Sequence, residues 1–499
     1  MFADRILAFI HGQGRPAWLV GGYVRDRLLG RPSHDLDLVV PEGGIRLARD
    51  LARAFGGAWF ALDEERDVGR AILSGDDAPL EVDVARLRLP ELVDDLALRD
   101  FTANAIAMDL AADGGPRIID PFDGQADLER KLLRAVTEGA FRDDPLRMLR
   151  GVRMVAELGF RLEGATYNLV RRDAGLLPAA ASERVRDEMM RVLAAPAAWQ
   201  HLRLLDDLAL LRHVLPESAS QIGVAQSAPH YQDVFDHTRS VLLHLRTLYT
   251  LLWPDMAPAP PAEEGTVLAP ADQWAEAAAL LAPYAAELRE HLCLPLASGH
   301  VRRDLLVWAA VAHDWGKPAR RTVTPQGDTH FYDHDHWGAL LAEARLQALK
   351  FAGDEVAYVA RLVDYHMRPG HLAHDYPPSR RAIYRFFRDA ESTGPDCVLL
   401  SLADTMATRA TAPDPEGWQR RLGASRMLLD AYFRERAVWV SPTPLLNGRQ
   451  VMAELGLPPG PQVGALIAGL REAQATGEVQ TAEEAARWLR RQMAAQAEE

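Results

Sequence analysis

The chain predicts an α+β protein: a small mixed-sheet head, then a mainly α-helical neck, a second helical block and a helical tail. Two observations carry that expectation. Short apolar runs of strand length, Trp18 to Val20, Asp35 to Val40, Trp59 to Ala61, Arg70 to Leu73 and Leu80 to Val84, alternate with helical patterns as far as Gly124. From Asp127 to about Leu215 strand signals vanish, and apolar residues recur three and four apart, as in Leu146, Leu149, Val152, Met154 and Val155. With 499 residues the chain is also too long for one ordinary core. The expected divisions are a head over 1–125, a neck over 126–215, a second block over 225–411 and a tail over 417–499. A Pro-rich stretch at 254–271 interrupts the second block with a composition that cannot support a packed element, and Thr411 to Glu416 marks the boundary before the tail.

The first chemical signal lies early in the head. Trp18-Leu19-Val20 reads as a buried strand, and Gly21-Gly22 lets the backbone turn tightly and approach a ligand. A helix follows over Tyr23 to Leu29, with Gly30 placed to end it. Backbone N–H groups at a helix start attract anions. The chain returns as a strand in which Asp35 and Asp37, two apart, point to the same face. Two carboxylates beside bound phosphates suit Mg²⁺, a layout fit for nucleotidyl transfer by two-metal displacement.

Bulk properties narrow the classes. The formal charge of −14 excludes a uniformly basic nucleic-acid-binding surface, so any grip on RNA must come from local patches such as the arginines between Arg130 and Arg191. Cys293 and Cys397 are the only cysteines, which excludes a disulfide framework or a Cys-rich zinc site and makes the cytoplasm the default compartment. Neither a signal peptide nor a membrane-spanning run is expected.

Two further stretches complete the head and neck. Arg99-Asp-Phe-Thr-Ala-Asn104 carries a cation able to meet a triphosphate bidentately. In Phe141 to Arg153, Asp144-Pro145 reads as a helix start, and Arg147, Arg150 and Arg153 follow at three-residue steps. With the Gly-Gly and Asp-x-Asp elements, these motifs resemble the nucleotidyltransferase superfamily, specifically the bacterial CCA-adding enzymes and poly(A) polymerases. Leu98 stands where the family pattern has a first arginine, and Asp143-Asp144 replaces Glu-Asp. The resemblance implies that Asp35 and Asp37 are catalytic and hold Mg²⁺, and that Gly21, Gly22, Arg25, Arg99, Arg150 and Arg153 contact nucleotide, with Asp100 and Asn104 assisting. It also implies that Asp144 and Arg147 read the base edge in place of a nucleic-acid template: a carboxylate accepts from an exocyclic amine, and a guanidinium donates to ring acceptors. Asp120 to Gly124 matches the family's turn between head and neck, and Glu183-Arg184 to Leu193 its last neck motif.

The second block carries His237, then His313-Asp314, His334, His366 and Asp404 in that order, with His336 and His371 as bystanders. This order resembles the HD phosphohydrolase domain. Imidazole and carboxylate ligands suit a divalent transition metal, Mn, Ni, Co, Fe or Zn, able to activate water for phosphoester hydrolysis. Lys317 is placed to position a phosphate or to cap a helix end. The implied activity is addition of CMP and AMP to the 3′ end of tRNA from CTP and ATP, with no membrane partner and an open oligomeric state. A poly(A) polymerase or an enzyme adding only CC or only A shares these motifs, and an HD phosphohydrolase with an RNA-binding head is the alternative from another class.

Overall fold

A computed structural model describes residues 2–33, 35–74, 79–110, 116–256 and 265–498. The middle of the expected Pro-rich insertion lies outside the described residues. The chain divides into two compact units, Met1–Val192 with Asp207–His213, and Leu193–Asp206 with Val214–Glu499. The head and most of the expected neck thus share the first unit, while Leu193–Asp206 of the neck falls with the helical block and tail in the second.

The first unit begins with α1 (Phe2–Gly12), β1 (Trp18–Val20), α2 (Gly22–Leu28), β2 (Asp35–Val40) and α3 (Gly44–Phe55), followed by β3 (Gly57–Asp63), β4 (Val68–Leu73), β5 (Leu80–Arg86) and α4 (Leu92–Ala97). Strands β6 (Ala107–Asp109) and β7 (Arg117–Ile119) complete one seven-stranded sheet in the order β3-β4-β5-β2-β1-β6-β7. Only β2 and β5 run parallel; the other pairs are antiparallel. Period-2 patterning explains β2: Leu36, Leu38 and Val40 are buried on one face, while Asp35 and Asp37 share the other. Helix α3 packs on the sheet through Ala48, Leu51 and Ala52. Its N-terminus is held by Asp67, whose carboxylate accepts from the N–H groups of Gly43, Gly44 and Ile45 at 2.8, 3.0 and 2.9 Å. All five strands expected in the head form, each within a residue or two of its sequence limits or extended beyond them. The three-residue β6 and β7 are additional, too short to give a periodic signal.

The neck consists of α5 (Gly124–Glu129), the short α6 (Ala140–Asp143), α7 (Arg147–Leu158), α8 (Gly164–Asp173) and α9 (Ser182–Ala194). Two-residue strands, β8 (Leu132–Leu133) and β9 (Arg161–Leu162), pair in parallel where the pattern predicted none. Gly151 lets α7 press on the head: a Cβ there would meet the Phe101 ring at 2.9 Å. Among the described residues the second unit is mainly helical, with a two-stranded hairpin, Thr322–Val323 with Thr329–His330. The tail helices Gly448–Leu455, Pro461–Ala475 and Ala482–Glu498 close over Val451, Leu466, Leu470 and Leu489.

Candidate nucleotidyl-transfer cavity and metal centre

A cavity of about 780 Å³ opens on the carboxylate face of the head sheet. It is lined by Gly21, Gly22, Arg25, Asp35, Asp37, Arg99, Asp144, Arg147, Arg150 and Arg153, so the residues singled out in the first unit all meet in one place. Arginine outnumbers acid in its wall, the reverse of the chain as a whole, which concentrates positive potential where a polyphosphate would lie.

The glycine turn is sterically obligatory. Gly21 has φ +71°, and a Cβ there would lie 2.9 Å from Arg99 Nη1 and 3.1 Å from Asp37 Oδ2. Burial raises the Asp37 carboxyl above its ordinary range and is reinforced by Asp83 and Asp35, while Arg99 pulls the other way. A carboxylate strained by desolvation and like charge fits a divalent cation, which relieves both. Asp83 lies opposite Asp37 in the β2–β5 register, and Arg70 grips it bidentately at 2.7 and 2.8 Å. Sequence reasoning missed this carboxylate because Glu81-x-Asp83 reads as any half-exposed strand.

A polar chain links head to neck. Arg25 donates through Nε and Nη2 to Asp26, each at 2.9 Å, and through Nη1 to Asn104 Oδ1, also at 2.9 Å. The Asn104 amide donates to Asp100 Oδ1 at 3.0 Å, and Asp100 Oδ2 forms an ion pair with Arg150 at 3.1 Å. Burial opposes ionisation of Asp100, yet the Arg150 charge, the Asn104 amide and the Phe101 N–H hold its carboxyl below the usual range. Asp100 therefore fixes Arg150 from behind.

The base-reading pair stands at the entry to α7. Asp144 is extended, with φ −145° and ψ 102°, and caps the turn that leads into the helix, its carbonyl accepting from the Arg147 N–H at 3.1 Å and Pro145 following in the first turn. Its Oδ1 accepts from Leu146 N–H at 3.1 Å and its Oδ2 pairs with Arg184 at 3.0 Å. Arg147 donates to the carbonyls of Leu98 at 2.6 Å and Ala140 at 3.1 Å. The Leu98 side chain departs from the family pattern, but its carbonyl still anchors the neck. Arg153 is drawn to Glu188 at 2.6 Å and Glu157 at 2.9 Å, which makes it a brace between α7 and α9.

In the second unit five helical segments deliver the predicted ligands. His237 comes from Val234–Leu252, His334 from His334–Ala348 and Asp404 from Gly394–Arg409, while His366 ends Gly353–Tyr365. His313 and Asp314 follow the end of Arg302–Ala312. The His313 Nδ1 bonds the Ala310 carbonyl at 2.8 Å, and His334 and His366 make the same bond to Phe331 at 2.8 Å and Val363 at 2.7 Å. Those bonds set the tautomer and aim Nε2 inward. Asp314 lies at the centre: Oδ2 is 3.1 Å from His313 Nε2 and 3.7 Å from His237 Nε2, and Oδ1 is 3.4 Å from His334 Nε2. His237, His313 and Asp314 form one potential ligand group, and Asp314, His334 and His366 a second. Asp404 Oδ1 reaches His237 Nε2 at 3.0 Å.

The inward Nε2 atoms of His313, His334 and His366 are buried and make no hydrogen bond, which fits a metal centre. Burial pushes His366 down to about 4, so its imidazole is neutral and ligand-ready at pH 7. Lys317 donates to Gln226 and pairs with Asp314, both at 2.7 Å. His230, which the sequence did not single out, packs its ring 5.0 Å from that of His237. The bystander His336 is exposed and paired with Asp364.

Comparison with known proteins agrees. The family described as Poly A polymerase head domain matches residues 17–134, that described as Probable RNA and SrmB- binding site of polymerase A matches 159–222, and the HD domain matches 274–409. The A-adding tRNA nucleotidyltransferase of Deinococcus radiodurans is 38% identical over 483 residues, 95% of each chain. The CC-adding tRNA nucleotidyltransferase of Thermus thermophilus is 35% identical over 486 residues, 95% of this chain and 93% of that one. A CCA-adding enzyme solved with ATP shares the fold with a TM-score of 0.61 at 18% identity, covering 98% of this chain and 94% of that chain. Among the described residues no helix is long and apolar enough to cross a membrane. With such relatives matching nearly its whole length, the chain belongs to the tRNA nucleotidyltransferase family, with a poly(A) polymerase-type head and an HD domain.

Proposed function

We propose that this chain extends the 3′ end of tRNA with CMP and AMP, selecting CTP and ATP without a nucleic-acid template. The observation that carries the reading is the convergence of Asp35, Asp37, the Gly21 turn and Arg99 in one arginine-rich cavity. Asp35 and Asp37 hold Mg²⁺, which supplies charge to activate the RNA 3′-hydroxyl and to stabilise the leaving pyrophosphate. The Gly21-Gly22 backbone, Arg25 and Arg99 grip the triphosphate, and Arg150, braced by Asp100, adds a further cation. Asp144 and Arg147 read the base by exchanging their present partners, Arg184 and the Leu98 and Ala140 carbonyls, for the base edge.

A second reading is addition of only part of the CCA end. Relatives that match about 95% of this chain are A-adding or CC-adding enzymes, whereas multifunctional CCA proteins such as that of Pseudomonas aeruginosa match 45% of it. Transfer RNAs ending before CCA, after C and after CC, offered with labelled CTP or ATP, separate the readings. AMP added only after CC identifies an A-adding enzyme, CMP without AMP a CC-adding one, and both in order a complete one. No incorporation with Mg²⁺ contradicts all three.

For the second unit we propose a metal-dependent phosphohydrolase centre that holds a divalent transition metal such as Mn, Ni, Co, Fe or Zn. It is supported by the two ligand groups that share Asp314. Metal analysis of the wild type and of His313→Ala, with hydrolysis of 2′,3′-cyclic phosphates, tests it; unchanged metal content in the variant contradicts the assignment. A tRNA substrate and two cysteines without a disulfide fit the cytoplasm, which cell fractionation checks.

A further inference from the structure

Arginines of the second unit are commonly held by carboxylates. Glu217 grips Arg345 bidentately at 3.0 and 2.9 Å, and Asp236 accepts from Arg239 at 2.7 Å. Arg421, on the helix Pro415–Phe433, is matched differently. Among the described residues its guanidinium makes one hydrogen bond, from Nη1 to the Ser401 hydroxyl at 2.8 Å, and no ion pair. Burial lowers the guanidinium below its ordinary value, and the charge that works against this comes from Asp404, whose Oδ1 is committed to His237 at 3.0 Å. A desolvated cation with one neutral partner is costly to keep, and four of its five N–H donors remain to be used.

Arg421 lines a cavity of about 190 Å³ walled by the helices Arg368–His374, Gly394–Arg409 and Pro415–Phe433. Gly370 makes room for the guanidinium: a Cβ there would stand 2.7 Å from Nη1 and 3.1 Å from Nη2. Arg409 and Arg420 line the same wall against a single carboxylate, Asp414. That carboxylate is already engaged, accepting from the Gly417 N–H at 2.9 Å and lying 3.7 Å from Arg409. The local charge is thus positive in a chain whose formal charge is −14.

Gln273 gives an independent sign of a ligand. It is 6% exposed, lines this cavity, and its Oε1 is buried without a hydrogen-bond partner. The amide turned over keeps its shape and presents N–H donors in place of that oxygen. An orphaned amide and an unmatched cation therefore meet at one cavity, which is smaller than the ~300 Å³ at which pockets begin to take drug-sized ligands. We propose that this cavity binds a phosphate group, free or as the end of a small phosphomonoester, with Arg421 as its principal cation and Gln273 as a neutral donor. A planar guanidinium fork matches two phosphate oxygens, and the flanking arginines favour a dianion over a carboxylate. The site is distinct from the metal centre: Ser401 and Thr405 lie one turn apart on the side of Gly394–Arg409 that meets Arg421 and the cavity, whereas Asp404 turns to His237.

Hydrogen exchange of the full chain with inorganic phosphate, AMP, or sodium chloride at matched ionic strength tests the proposal. The readout is the helix Pro415–Phe433, which carries no residue of the head or of the metal centre. Phosphate or AMP slows exchange there, half-maximally at about 1 mM or below, and chloride does not. The tighter of the two tells a free phosphate from a phosphomonoester. Arg421→Met weakens the protection at least about tenfold, as loss of a charge-assisted fork implies, and leaves nucleotide incorporation within about twofold of wild type. Gly370→Ala keeps the charge and the helix but displaces the guanidinium, so it weakens protection in the same direction and decides the case if Arg421→Met loosens the helix. No protection in the wild type, protection only far above millimolar phosphate (an adventitious ion only), or protection retained in either variant overturns the site. An unchanged phosphate response beside weaker tRNA binding in Arg421→Met also overturns it, in favour of a contact with RNA.

Discussion

The two centres of this chain obtain their chemistry in opposite ways. The head cavity is open and rich in arginine, and its carboxylates face substrates that bring phosphates of their own. The HD cluster is closed: His237, His313, Asp314 and His366 are each 1–2% exposed, and imidazoles surround the Asp314 carboxylate. An open site tolerates charge because water and ligand share it; a buried one works only where each polar atom is directed at a partner or a metal. The head should therefore fail through geometry and charge, and the HD centre through loss of metal and of stability.

Among substitutions that leave the head's charges in place, the largest effect expected comes from one methyl group. Gly21→Ala imposes a Cβ on a φ of +71° and pushes it against Arg99 and Asp37, so kcat/KM for nucleotide should fall about 10²–10³-fold with little change in metal content of the HD centre. An alanine variant with normal kinetics would break the contrast, because the cavity would then be as forgiving as an ordinary surface. Next is base choice: Asp144→Ala or Arg147→Ala should lower the preference for ATP and CTP over GTP and UTP by about 10- to 100-fold, measured as ratios of kcat/KM.

The HD centre should respond to acid through a buried histidine. His366 is pushed down to about 4 by burial, with the nearby His313 and His334 reinforcing the shift, whereas in the unfolded chain it titrates near 6.5. Its folded form resists protonation, so its contribution is intact above about pH 6.5 and is lost as pH falls toward 4, on the order of 2 kcal/mol by pH 5. His313, which the Asp314 charge raises in spite of burial, acts in the opposite sense. Urea unfolding of metal-free wild type and His366→Ala between pH 7 and 5 isolates the term; parallel pH dependences would exclude it. The smallest effect belongs to Arg184, whose pair with Asp144 is half-exposed: Arg184→Ala should change stability by less than about 1 kcal/mol and base selectivity by a few fold.

The same contrast governs what could be read from the sequence. The head motifs are contiguous and their meaning is local. Alternation placed Asp35 and Asp37 on one face, and a glycine pair before a helix announced a close approach to ligand. What depends on strand pairing was hidden: Asp83 meets Asp37 only through the parallel β2–β5 register. The entry to α7 was legible too: the Asp144 side chain accepts from the Leu146 N–H while its own backbone stays extended, as a helix cap does, and Pro145 follows. In the HD unit residue types and order were legible from the family resemblance, yet the central place of Asp314 comes from five helical segments meeting, which no local pattern records. His230 was invisible for the same reason.

The most direct test of the account, two chemically independent centres in one chain, is a crossed measurement on Asp37→Ala and His313→Ala: nucleotide incorporation into tRNA and bound transition metal, determined on the same preparations. Asp37→Ala is expected to lose at least about 10³-fold in incorporation and to keep its transition metal, while His313→Ala loses metal and keeps incorporation. Incorporation that survives in Asp37→Ala, or transition metal retained in full by His313→Ala, would contradict it.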